Sequence, residues 1–131
     1  KLLFAAMSDT CLRAGDDAEL RVHAQQLQQG MRRVGEVTRV AAQRMAAGEA
    51  RDVLANATHY MTAFSTLTVA WLWLWMAEAA SRNLALDEDF RAGKRQACRF
   101  WFATEFAQVE HAARLVGEVD RSALDMRPGW F

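Results

Sequence analysis

One proline occurs in the 131 residues, and it is Pro128, three positions from the end. Proline breaks a helix interior because it lacks the N–H and its ring clashes with the preceding turn. A proline-free run of this length, rich in Ala, Arg, Leu, Gln and Glu, leaves long helices open almost throughout. Apolar spacing then says where they lie. Leu20, Ala24, Leu27, Met31, Val34, Thr38, Ala41 and Met45 recur at alternating steps of four and three, as one face of a helix does. Gln25, Gln28, Gln29, Arg32, Glu36, Arg39 and Gln43 lie off that stripe, as on a solvated face. The pattern predicts a helix over 18–48, preceded by a cap from Asp16 or Asp17 and closed at Gly48.

A second helix is expected over 49–83. Val53, Ala57, Tyr60, Phe64, Leu67, Trp71 and Leu74 form one stripe; Leu54, Met61, Thr68, Trp75 and Ala79 form another beside it. A third is expected over 88–119, capped by Asp87, with Phe102, Phe106, Val109, Ala113 and Val116 on one face. Leu2, Leu3, Ala6 and Met7 suit a short helix over 1–14, ended by Gly15-Asp16-Asp17; residues 120–131 read as a tail turning at Arg127-Pro128-Gly129. The expected architecture is therefore a single all-α domain spanning 1–131. It is an up-and-down bundle of three long helices, each about 45 Å long, plus the short N-terminal one. Short connections make neighbouring helices antiparallel.

The stretch Val69-Ala70-Trp71-Leu72-Trp73-Leu74-Trp75-Met76-Ala77 tests this reading. Its alternation has the period of a strand, but every position is apolar, so that period sorts nothing. The helical stripe begins well before it and passes through it, which decides for helix. The run from Tyr60 to Met76 carries no charge and is near the minimum length for a membrane span. Thr62, Ser65, Thr66 and Thr68 interrupt it, and the tryptophans gather at one end instead of forming belts at both interfaces, so no span is expected. On a helix Trp71 and Trp75 share a face and Trp73 points away from both. An indole is too costly to leave in water. Trp73 is thus covered either by the other helices or by a further domain or subunit.

Chemistry-bearing patterns are sparse. Sixteen Lys and Arg balance sixteen Asp and Glu, with no basic stripe, which argues against nucleic acid. His23, His59 and His111 have no Glu three residues before them, so the Glu-x-x-His pairs of a di-iron bundle are missing. Cys11 and Cys98 form no CxxC, which indicates a reduced, cytoplasmic setting; Cys98 reads as a small buried residue. No Gly-rich phosphate loop and no G-x-S-x-G appear. Gly30, Gly35, Gly93 and Gly117 are isolated glycines that mark close helix contacts or weak points. Asn56, Thr58, His59, Thr62, Ser65 and Thr66 could line a pocket, but hydroxyls bonding back to the preceding turn are the expected arrangement. No catalytic, cofactor-binding or metal-ligating residue is assigned.

The segment from Asp52 to Trp73, DVLANATHYMTAFSTLTVAWLW, resembles the C-terminal extension domain of one branch of the flavin-dependent acyl-CoA dehydrogenases. That domain carries Ala-x-x-Tyr-hydrophobic-x-x-Phe-Gly before an apolar Trp-Leu stretch. The matching residues are Ala57, Tyr60, Met61 and Phe64, with Ser65 where Gly is usual. Glu78-Ala79-Ala80 continues its alanine-rich helix. Phe90 to Lys94, followed by Ala97-Cys98-Arg99-Phe100-Trp101-Phe102, is similar to its next helix. The likeness covers most of the chain after Gly15.

The resemblance implies a longer parent enzyme that binds FAD and oxidises acyl-CoA thioesters at the α,β-carbons, of which this is a C-terminal accessory piece. The abrupt start at Lys1 is expected on the same basis. Acyl-CoA would be met through the parent only, and the partners would be the parent's other domains and a homo-oligomer mate. No residue here matches the family's catalytic glutamate; Glu105 and Glu110 are not assigned that role. The competing expectation is a free-standing helical-bundle module for protein–protein interaction.

Overall fold

The computed structural model describes residues 2–131. Among them all regular structure is helical: α1 (Leu2–Ala14), α2 (Arg21–Ala46), α3 (Ala50–Ala55), α4 (Ala57–Arg82), α5 (Glu88–Thr104), α6 (Ala107–Glu118) and a closing 3-10 turn at Pro128–Trp130. The all-α expectation holds. Three unbroken long helices do not. The helix expected over 49–83 is split at Asn56, and the one expected over 88–119 is split at Glu105–Phe106.

Each break has a local cause. Asn56 is buried, and its side-chain amide donates to the Asp52 carbonyl at 3.1 Å and to the Asp120 carbonyl at 2.9 Å. Holding the tail in this way takes Asn56 out of helical geometry, with φ −101° and ψ 9°. Val119, in the left-handed region at φ 52°, ends α6 and turns the chain so that Asp120 arrives there. At the second break the N–H groups of Glu105 and Phe106 both donate to the Trp101 carbonyl. One step of the ladder thereby becomes i to i−5, a π-type bulge. It turns the Phe106 ring toward α2, where it lies 4.9 Å from the Phe102 ring.

Contacts give the directions of the helices. Thr38 meets Tyr60 while Gly30 faces Leu67, so α4 runs antiparallel to α2. Arg95 pairs with Glu19, Arg33 with Glu110, and Gly117 abuts Val37, so α5 and α6 run alongside α2 in its own direction. Thr10 meets Trp71 and Arg13 meets Glu78, so α1 follows α4. Two helices are central: α2 and α4 each touch all five of the others.

The Gly48 and Asp87 ends form as expected, but the start of α2 does not: it begins at Arg21, with Leu20 at the N-cap and no side-chain cap, so neither Asp16 nor Asp17 caps it. Gly48 ends α2 at φ 89°, a conformation that favours glycine. The Asp17 carboxylate accepts from the Glu19 N–H before α2, and Asp87 caps α5 by accepting from the Phe90 N–H. The core is built from Met7, Leu27, Val34, Leu67 and Leu74, all fully buried, with Phe102, Val109 and Val116 closing the α5–α6 side.

Cys11 and Cys98 both lie in this core. Burial pushes their thiols up, Cys11 to about 11 and Cys98 to about 12, because a thiolate there would be desolvated. The native chain is therefore expected to resist a thiol-specific reagent at neutral pH and to react at both cysteines once unfolded. The neutral thiols favour the folded state fully below the ordinary value of 9.0. Stability should fall as pH rises from there toward the folded-state values. Denaturant melts across that alkaline range check the sign, and rapid native labelling at neutral pH would contradict the burial.

Candidate functional site

From Asn56 to Ala77 there is no Asp, Glu, Lys or Arg. One side of α4 supplies the core through Ala63, Leu67, Ala70, Leu74 and Ala77, all at 0 % exposure. Its opposite side carries Met61, Ser65, Thr68, Leu72, Trp75 and Ala79 at steps of four, three, four, three and four. Those steps draw a straight stripe along the helix, about 27 Å long. Met61 is 58 % exposed, Leu72 36 % and Trp75 46 %.

Local hydrogen bonds occupy the hydroxyl donors on and beside this stripe. The Thr62 hydroxyl donates to the Thr58 carbonyl, Ser65 to Thr62, and Thr68 to Phe64 at 2.8 Å. Those hydroxyls are bound to their own helix, as expected. Trp75 is held flat by Trp71, with ring centroids 5.8 Å apart and planes within 7°. The Trp71 indole N–H donates to Thr10 Oγ1 at 2.9 Å, which fixes the stack against α1. Stacking of this kind is worth about 0.5–1.5 kcal/mol beyond the area buried.

The outward tryptophan is Trp75 and not Trp73. Trp73 is half-buried, packed against the core, with the Lys94 ammonium 5.8 Å over its ring. The sequence offered two adjacent stripes on this helix. The one through Leu67 and Leu74 is core, and the one through Met61 and Trp75 faces solvent. Apolar residues on both sides of a helix with no charged face are the signal that a second surface is apolar.

The remaining sequence candidates are dispersed. The His23 ring stacks on Phe102 with centroids 4.7 Å apart, and its Nδ1 lies 3.0 Å from the Gln26 amide oxygen. His59 is half-buried and His111 exposed. Glu110 accepts from Arg33 Nε at 3.1 Å, and Glu105 accepts from the Gln108 amide. No group of three His, Cys, Asp or Glu able to hold a metal ion occurs among the described residues. No helix among them is long and apolar enough to cross a membrane. Of the isolated glycines, only Gly30 marks a close contact; Gly93 faces open space, and Gly35 and Gly117 sit at ordinary distances.

No curated protein and no solved structure matches the chain. The model of the acetyl-CoA dehydrogenase C-terminal-like family matches residues 3–127, from the first turn of α1 to the tail. That span includes all of α2 to α6 and both faces of α4. The chain belongs to the acetyl-CoA dehydrogenase C-terminal-like family.

Proposed function

We propose that this chain is a non-catalytic accessory domain of a FAD-dependent acyl-CoA dehydrogenase, a single helical unit whose α4 stripe packs on the parent's other domains or on a homo-oligomer mate. The observation that carries the reading is the uncharged stripe through Met61, Leu72 and Trp75 on a member of this family. A rigid, flat indole beside aliphatic side chains is the composition found at the centres of stable interfaces. Four surface grooves of the chain are lined by charged side chains, which do not fit a flavin ring. No step through FAD is therefore assigned to residues of this chain; dehydrogenation of the thioester belongs to the parent, in the cytoplasm.

The intact mass and visible spectrum of the native polypeptide test the parent. The expected result is a chain several times longer, with an oxidised-flavin band that bleaches on adding acyl-CoA. A colourless protein of 14.8 kDa would refute it and leave an interaction module. The stripe is tested by Leu72→Glu with Trp75→Glu in that same polypeptide. In the isolated chain these exposed positions should shift stability by no more than about 0.5 kcal/mol each, apart from the lost Trp71 stack. In the parent they should dissociate the oligomer or free the domain to proteolysis. An unchanged assembly would rule the stripe out as the contact.

A further inference from the structure

A groove of about 730 Å³ lies between the start of α2 and α5. On the α5 side it is lined by Glu88 and by Arg91, Arg95 and Arg99, the arginines spaced one helical turn apart. Three like charges in a row along one face repel one another. Arg95 is neutralised, by Asp17 at 3.1 Å and Glu19 at 2.8 Å. Arg91 and Arg99 have no carboxylate within ion-pair distance among the described residues, and Glu88, one turn before Arg91, does not reach it. The Nε of Arg91 is buried with no hydrogen-bond partner. A guanidinium N–H covered by protein without an acceptor is unfavourable, and it offers no donor to the groove, so Arg91 can meet a ligand only through its other N–H groups. Opposite stand Leu20 and His23, the imidazole braced flat by the Phe102 ring.

We propose that this groove is a binding site for a small phosphate-bearing anion with two charged groups, held at one end by Arg91 and at the other by Arg99. A guanidinium fork matches phosphate oxygens with two parallel N–H donors. The Cα atoms of Arg91 and Arg99 are about 12 Å apart along the helix axis, and long side chains can converge from there onto a diphosphate. A single carboxylate would leave one of them unpaired. The groove has the volume of a small-molecule site, and two free cations are too few to hold an extended acidic peptide. This inference is independent of the parent-enzyme reading.

Isothermal titration of the protein with sodium pyrophosphate, and in a second arm with ADP, at matched ionic strength, tests it. Saturable binding is expected, about tenfold weaker in Arg91→Gln and in Arg99→Gln and lost in the double variant. Arg91→Lys, which keeps the charge but not the fork, should be weakened less, and it decides the case if a Gln variant loses its helical circular dichroism. Arg114→Gln, on α6 and paired with Glu118, should bind as the parent chain does. Equal affinity for the two probes means that phosphate alone is recognised; tighter ADP binding adds the His23 wall. No saturable heat from either probe at millimolar concentration would overturn the proposal, as would undiminished binding by a folded double variant.

Discussion

Gly30→Val is expected to destabilise the bundle by about 3 kcal/mol. A Cβ at position 30 would lie 2.8 Å from Leu67 Cδ1 and 2.9 Å from Phe106 Cζ. Both contacts are tighter than a real Cβ tolerates, so Leu67 and the half-buried Phe106 ring must both shift to admit it. Leu67 is fully buried, and the Phe106 ring is held beside Phe102 by the bulge at Glu105. The glycine is thus the point where α2 approaches both α4 and the α5–α6 arm. Gly30→Ala sets two effects against each other. Alanine gains up to about 1 kcal/mol of helix propensity, and overpacking costs about 1–3 kcal/mol. The clash wins, by an amount smaller than for valine. Gly93→Ala supplies the contrast: a Cβ there meets nothing within 4 Å, so the propensity gain stands alone and the variant should be more stable than the parent chain. Urea melts of the three variants decide it. If Gly30→Ala proved as stabilising as Gly93→Ala, the close approach at Gly30 would be refuted.

That contrast also shows how far the sequence could be read. All four isolated glycines look alike in a helical pattern, and only the packing tells Gly30 from Gly93. Periodicity placed the helices, because a 4-3 stripe such as Leu20 to Met45 has no other regular solution. It could not place the two breaks. Asn56 interrupts nothing in the apolar pattern, and what takes it out of the helix is the Asp120 carbonyl, 64 residues away in sequence. The bulge at Glu105 is similarly tertiary in origin, since Phe106 turns to meet α2. The two-sided character of α4 was legible from its uncharged run. Which tryptophan faces outward was not, because that depends on where α5 lies: Lys94 lies over Trp73, and Trp75 stays 46 % exposed. Glu78 was legible only as the charge that ends the run. The structure places it in the core layer, 4 % exposed.

Glu78 carries the second large effect, and its sign pattern is asymmetric. The carboxylate accepts from Arg13 Nε at 3.4 Å and from Arg82 Nη1 at 2.9 Å, one arginine on α1 and the other a turn further along α4. Both arginines keep much of their side chains in water, 40 % and 66 % exposed, whereas the Glu78 side chain is 5 % exposed. Glu78→Gln removes the charge that is costly to bury and leaves two cations that can turn to solvent. Its expected cost is about 1–2 kcal/mol. Arg13→Met with Arg82→Met does the opposite and leaves a buried carboxylate with no cation, for about 3–5 kcal/mol. Adding Glu78→Gln to that double variant should then restore stability, although the same change is destabilising in the parent chain. The damage should concentrate in α1, because Arg13 also reaches Thr10, which receives the Trp71 indole N–H. Hydrogen exchange in α1 should accelerate before that in α2. If Glu78→Gln were the more harmful change in both backgrounds, the carboxylate would be acting through packing alone, and the ion-pair account of the α1–α4 seam would fail.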